Sequence, residues 1–234
     1  MSLISRNLQA VHGAIDAAAQ AVSRQPHAVS LLAVSKTFAV SAVLEAAAAG
    51  QRAFGENYLQ EALDKIAVVR ATRPDLALEW HFIGPIQSNK TRPIAESFDW
   101  VHSVEREKIA RRLSDQRPEK LPPLNICLQV NISGEASKSG VPASEALAVA
   151  HAIAAMPRLR LRGLMAIPEP TSVVAEQRLA FRQLHDLFDQ CRAAGLDLDT
   201  LSMGMSSDLP AAIAEGATIV RVGTAIFGTR TYAE

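Results

Sequence analysis

The chain lacks any excess of charge: 24 lysines and arginines are matched by 24 aspartates and glutamates over 234 residues. No global field draws it to nucleic acid or to an acidic membrane surface. Long apolar runs are missing too, and none approaches the roughly 18 residues a membrane helix requires. Charges scattered through "MSLISRNLQAVHGAIDAAAQAVSR" leave no apolar stretch for a signal peptide. Cysteine is scarce. Cys127 and Cys191 lie far apart without CxxC or Cys/His ligand spacing, which argues against a metal site and for reduced thiols in a cytoplasmic protein. What is present is a hydrophobic share of 48% and a charged share of 21%, the composition of a soluble globular chain with a sizeable core.

The apolar pattern has two periods. Ile4, Leu8, Val11, Ile15, Ala18 and Val22 recur at spacings of three and four, an amphipathic helix closed by Pro26. Strand-like runs then occur at about 29–35, 53–56, 79–84, 100–104, 124–132, 160–167, 200–205 and 219–226. Helical patterns lie between them near 41–49, 58–70, 89–97, 105–116, 142–156, 173–194 and 208–215. Eight strands alternating with helices imply parallel pairing through right-handed crossovers. The expected architecture is α/β: one (β/α)8 TIM-type barrel spanning 1–234, with the extra N-terminal helix filling the place of a helix after the last strand. "RPEKLPP" (117–123) reads as a loop within the barrel rather than a linker.

In such barrels function gathers at the C-terminal strand ends, with phosphate commonly bound after the last two strands. Lys36 ends the first strand and shares a face with Leu32 and Val34 by alternation. Lost hydration there favours a neutral, nucleophilic amine, although a lysine snorkelling to solvent fits the same spacing. Ser202, Gly204 and Ser206 share a face of the seventh strand, and "SSD" (206–208) opens a helix suited to an anion or to plain capping. Arg221 and Gly223 share a face of the eighth, followed by Thr224. An inward arginine needs a partner, either an acidic side chain in the barrel floor or a ligand atom such as a pyridine nitrogen. Asn57, after "FGE", suits a ring hydroxyl or a turn. His81 reads as a hydrogen-bonded structural histidine before a general base, and Lys90 and Lys138 as solvated loop charges. An amine, phosphate-sized donors and a fixed positive charge in one pocket suit pyridoxal phosphate held as a Schiff base.

At these residues the chain resembles the pyridoxal phosphate homeostasis proteins. "AVSKT" (33–37), "FGENYLQE" (54–61), "WHFIGPIQSNK" (80–90), "NISGEASKSG" (131–140), "LMAIP" (164–168), "LSMGMSSD" (201–208) and "VRVGTAIFG" (220–228) carry the likeness, in the family's order. It departs at "TFAV" (37–40), where relatives often place a basic residue and a proline. The resemblance implies a barrel akin to the N-terminal domain of alanine racemase, with pyridoxal 5′-phosphate on Lys36. Ser206, Gly223 and Thr224 would hold the phosphate, Arg221 would face the pyridine nitrogen and Asn57 would lie beside the ring. It further implies a cytoplasmic monomer that stores, buffers and delivers cofactor to apo-enzymes, with no metal and no catalytic residue.

Two other functions compete. A small amino-acid racemase would use Lys36 as one base and needs a second, but the chain stops at Glu234 without the racemases' β-rich domain. Neither of its two tyrosines, Tyr58 and Tyr232, is an evident substitute. A cofactor-free lysine aldolase would not require the anion-binding rim with Arg221.

Overall fold

A computed structural model describes residues 2–25, 27–134 and 139–229, so Pro26, Lys138 and Tyr232 lie outside the described residues. The first helix, α1 (Leu3–Ala21), starts where the Ser2 hydroxyl accepts the Ser5 N–H at 3.2 Å. Its buried residues Leu8, Val11, Ile15 and Ala19 fall at spacings of three and four, one stripe of a 3.6-residue period. Burying each of the larger ones contributes roughly 1.5–3 kcal/mol.

The strands are β1 (Ser30–Val34), β2 (Ala53–Glu56), β3 (Glu79–Phe82), β4 (Trp100–Val104), β5 (Leu124–Asn131), β6 (Val141–Pro142), β7 (Leu159–Met165), β8 (Thr200–Ser202) and β9 (Ile219–Val222). Eight of them pair in parallel, in the order β4-β3-β2-β1-β9-β8-β7-β5, and a β4–β5 pairing closes the barrel. The two-residue β6 pairs with the end of β5 at Val130 and Asn131. The outer helices are α2 (Val40–Ala48), α3 (Leu59–Thr72), α4 (Thr91–Ser97), α5 (Glu107–Gln116), α6 (Ala143–Ala154), α7 (Val174–Ala193), α8 (Leu209–Ala214) and α9 (Thr224–Phe227). Helix α1 packs on α8, α9 and α2, so it fills the gap in the outer ring, and Asn7 Nδ2 donates to the Ile226 carbonyl at 2.9 Å.

Alternating residues divide the core. Leu31, Ala33, Phe54, Trp80 and Val220 face the helices in one continuous cluster, whereas Trp100, Cys127 and Met165 form a small inner one. The barrel axis is otherwise unusually polar: His81, His102, Ser202 and Arg221 are all buried. Barrel interiors more often stack branched aliphatics.

Two expected strands are shorter than their apolar runs. β8 ends at Ser202 rather than 205, because Gly204 adopts φ +96° and takes the chain out of the ladder. β9 ends at Val222 rather than 226. The N–H groups of Ile226 and Phe227 fold back on the Gly223 carbonyl, at 2.9 and 3.0 Å, and turn the run into α9. A short apolar run does not by itself distinguish strand from helix.

Candidate functional site

The chain leaves β1 through a held turn. Phe38 N–H donates to the Ser35 carbonyl at 3.1 Å, and between them Thr37 sits at φ +68°. That region is a true outlier for a β-branched residue and costs of order 1–3 kcal/mol. The cost is met locally. Thr37 N–H donates to Glu61 Oε1 at 2.6 Å, and its hydroxyl donates to the Lys36 carbonyl at 2.6 Å. From α3, Lys65 Nζ donates to the Ser35 carbonyl at 2.7 Å, to Glu56 Oε1 at 2.8 Å and to Glu61 at 2.5 Å. Burial pushes the Glu56 carboxyl above the usual carboxylate range, while the charge of Lys65 pulls it down. Lys36 is thus carried on a backbone pinned from both sides.

Across the barrel, β8 and β9 supply the remaining candidates. Leu32 of β1 is in register with Arg221 of β9, so both point into the barrel. Arg221 Nη1 donates to the carbonyl and hydroxyl of Ser202 at 2.7 and 2.9 Å, and Nη2 donates to the Ala166 carbonyl at 3.0 Å. Its partners are therefore neutral oxygens, not an acid in the barrel floor. Burial pushes its pKa down to about 10, still leaving it charged at neutral pH. Three of five N–H donors are committed among the described residues, which leaves two for a ligand.

The expected shared face of Ser202, Gly204 and Ser206 fails at Gly204. A Cβ there would lie 2.5 Å from Ala212 Cβ of α8, so Gly204 faces the helix layer and not the barrel axis. Asp208 turns back into the loop, where its Oδ1 accepts the Met205 N–H at 2.6 Å. Gly223 also has a packing reason: a Cβ would come within 3.0 Å of the Val34 carbonyl oxygen. The bonds of α9 begin at Ile226 N–H, so the Thr224 and Ala225 N–H groups precede the first of them.

These segments enclose one cavity of about 330 Å³. Lys36, Asn57, Ser206, Arg221, Gly223 and Thr224 all line it, together with Val34, Phe38, Ile83, Ile167, Met205 and Ser207. The volume falls at the lower end of small-molecule sites. Its polar groups are graded by depth: Ser206, Ser207 and Thr224 are exposed at the rim, whereas Arg221 is buried. The Asn57 amide oxygen is buried without a hydrogen-bond partner among the described residues, and such an orphan acceptor invites a ligand donor. A pyridine ring with a hydroxyl, an aldehyde and a phosphate fits this set: hydroxyls at the rim, an amine on the wall, an open amide acceptor and a charged donor at depth. An adjoining hollow of about 390 Å³ shares Asn57, Ile83, Ile167 and Met205 and adds Glu105, Gln129 and Ser139.

Other candidates fall elsewhere. His81 sits inside the barrel between Glu79 and His102, hydrogen-bonded to both at 2.7 and 2.8 Å, and does not line this cavity. Lys90 is exposed at the end of a 3-10 turn (Ser88–Lys90). Tyr58 is half exposed and also off the cavity. Cys127 is a buried free thiol, pushed up to about 12 by burial, and so is inert. No cluster of three or more metal-ligating side chains occurs among the described residues, and no helix among them is long and apolar enough to cross a membrane. Sequence reading did not single out the Glu56–Glu61–Lys65 clamp, whose charges resemble an ordinary helix surface until α3 is placed on β1 and β2.

The family described as alanine racemase, N-terminal domain, matches residues 7–231. A pyridoxal phosphate homeostasis protein of Pseudomonas aeruginosa is 62% identical over 99% of this chain and 98% of its own. One from Escherichia coli K12 is 53% identical over the whole of both chains. The structure of PipY from Synechococcus elongatus with PLP bound superposes with a TM-score of 0.83 at 37% identity, covering 96% of this chain and 100% of that one. Alanine racemase of Corynebacterium glutamicum, at 19% identity and a TM-score of 0.67 over 62% of its length, shares the fold.

Proposed function

The chain belongs to the pyridoxal phosphate homeostasis family, within the proteins matched by the alanine racemase N-terminal domain, and we propose that its cavity holds pyridoxal 5′-phosphate on Lys36. When bound, the group supplies an aldehyde that condenses reversibly with an amine. The single observation that carries the reading is the convergence of Lys36, Asn57, Ser206, Arg221, Gly223 and Thr224 on one cavity.

In this reading Lys36 presents its amine from a backbone held by Glu61 and Lys65. Ser206 and Thr224 offer hydroxyls, and the turn at Gly223 offers N–H groups, to the phosphate. The spare N–H groups of Arg221 face the ring nitrogen, and being a permanent cation it keeps that nitrogen unprotonated. The ring is then a weak electron sink, which suits retention better than carbanion chemistry. Asn57 takes the ring hydroxyl. The protein thus acts as a carrier, limiting free aldehyde, buffering the cofactor and passing it to apo-enzymes.

In this reading the chain is a monomer built as one domain over 1–234. Two free, buried cysteines support a reducing, cytoplasmic setting. The racemase alternative is not favoured, because the relatives that match the full chain carry the homeostasis name and the likeness to racemases reaches only the fold.

The test is borohydride reduction of the loaded protein followed by peptide mass mapping. The adduct is expected on the peptide containing Lys36 and is absent from Lys36→Ala. An adduct elsewhere, or none, would sink the assignment. Mixing loaded protein with an apo-enzyme separates delivery from storage: reactivation no faster than spontaneous release leaves storage alone.

A further inference from the structure

The polar groups along the barrel axis form an unbroken line from one mouth to the other. Glu79 Oε1, on a side chain 49% exposed at the N-terminal mouth, lies 2.7 Å from His81 Nε2. His81 Nδ1 lies 2.8 Å from His102 Nε2, His102 Nδ1 lies 2.7 Å from Ser202 Oγ, and Ser202 Oγ lies 2.9 Å from Arg221 Nη1. Glu79 lines a cavity of about 330 Å³ at the opposite end of the barrel from the cofactor site, with Trp100, Arg162 and Asp199. His81 stacks on Trp100 at 5.3 Å and 7°, which fixes its ring plane.

Donor and acceptor chemistry gives this line one direction. A carboxylate only accepts, so His81 carries a proton on Nε2, and in the neutral ring its Nδ1 accepts. His102 must then donate from Nε2, its Nδ1 accepts, and the Ser202 hydroxyl donates to it. A serine whose hydrogen is committed to His102 turns its lone pairs to the guanidinium, which only donates. Burial holds His102 well below the usual histidine range, so it stays neutral, as this order requires. Each donation strengthens the next acceptor, so the anion at one mouth tightens the grip on the cation at the other.

Resting on the cofactor reading above, we propose that Glu79 is a positioning residue for that cofactor from the far mouth of the barrel. Through His81, His102 and Ser202 it imposes the hydrogen-bond order that aims the Arg221 guanidinium at the ring nitrogen.

Glu79→Gln is the discriminating change, because an amide both donates and accepts and permits the reverse order. Long-range 1H–15N correlation spectra of the cofactor-free protein read the ring protons of His81 and His102. Wild type is expected to show one tautomer, Nε2–H on both rings, and Glu79→Gln a second set of signals on both. In the loaded protein Glu79→Gln should shift the absorbance maximum and raise the Kd for pyridoxal phosphate by about threefold to tenfold. In an Arg221→Ala background the same change should have no further effect on the spectrum. Ser202→Ala attacks the line from the other end and should move the spectrum in the same direction.

Unchanged tautomers and spectrum in Glu79→Gln overturn the proposal, as does a lowered melting temperature alone. Failure of wild type to bind the cofactor would instead sink the functional reading. The tautomers of the cofactor-free protein test the order independently, and mixed tautomers in wild type overturn it.

Discussion

The ammonium of Lys65 lies 2.7 Å from the carbonyl oxygen of Ser35, the residue before Lys36. The same ammonium holds Glu56 and Glu61, and Glu61 holds the N–H of Thr37, the residue after it. A charged cluster outside the cavity therefore sets the path of the lysine inside it, against the local strain of Thr37. Its removal should be felt in both stability and binding.

Lys65→Met leaves Glu56 fully buried with Ser35 as its remaining donor. Breaking a buried pair from one side costs about 3 kcal/mol, measurable by urea denaturation. With its cation gone, the Glu56 pKa stays above that of the unfolded chain. The contribution of this one site to the variant's stability is then greatest below the ordinary carboxylate pKa near 4.5 and is lost as pH rises through the folded value. Glu56→Gln in the same background should recover part of the loss and flatten that dependence. A variant as stable as wild type at neutral pH would show that the clamp holds nothing.

Asn57→Leu removes a buried acceptor without a partner. The cofactor-free protein should gain about 1 kcal/mol, since an unsatisfied buried polar group costs about 1–3 kcal/mol. Binding of pyridoxal phosphate should weaken about tenfold, the equivalent of one lost hydrogen bond of about 1.4 kcal/mol. Stability and affinity moving in opposite directions is the signature, read by thermal melting and absorbance titration. Unchanged affinity would remove Asn57 from the site.

Gly204→Ala forces φ +96° on a side chain whose Cβ would meet Ala212 Cβ at 2.5 Å. The combined strain and overpacking should cost about 2–3 kcal/mol. Because the loop that follows carries Ser206, phosphate-dependent affinity should fall with it. Comparing pyridoxal with pyridoxal phosphate isolates that part: the two affinities should converge in the variant.

His102 is neutral in the fold because burial lowers its pKa. The unfolded chain titrates near 6.5, so below that pH it binds a proton the folded state refuses. Stability contributed by this site is complete above pH 6.5 and falls as pH drops below it, at up to about 1.4 kcal/mol per pH unit. His102→Asn, less stable at pH 7.5, should show a shallower decline between pH 6.5 and 5 in denaturant titrations. Parallel curves would mean that His102 is already charged in the folded protein.

Much of this molecule could be read before any coordinates. The alternation of apolar runs named eight strands and the helices between them, because periods of 2 and 3.6 are local properties of a chain. Lys36, Asn57, Ser206, Arg221, Gly223 and Thr224 were candidates by strand-end position and chemistry, each with a plain structural alternative, and the family resemblance is what gathered them into one site. Strand ends were read too long at 205 and 226, where Gly204 and the Gly223 carbonyl redirect the backbone. Neither the Glu56–Glu61–Lys65 clamp nor the line from Glu79 to Arg221 was visible, for each joins residues on different elements.

Residue order alone settled the alternation of elements, the chemical types at the strand ends and the absence of net charge, because these depend on near neighbours and composition. Closure of β9 on β1 and of β4 on β5 is what gathered an amine, an amide, hydroxyls and a guanidinium around one cavity. It also chose which neutral oxygens hold Arg221 and which side of Gly204 meets a helix. Those outcomes depend on register between strands far apart in the chain, and no local period encodes a register.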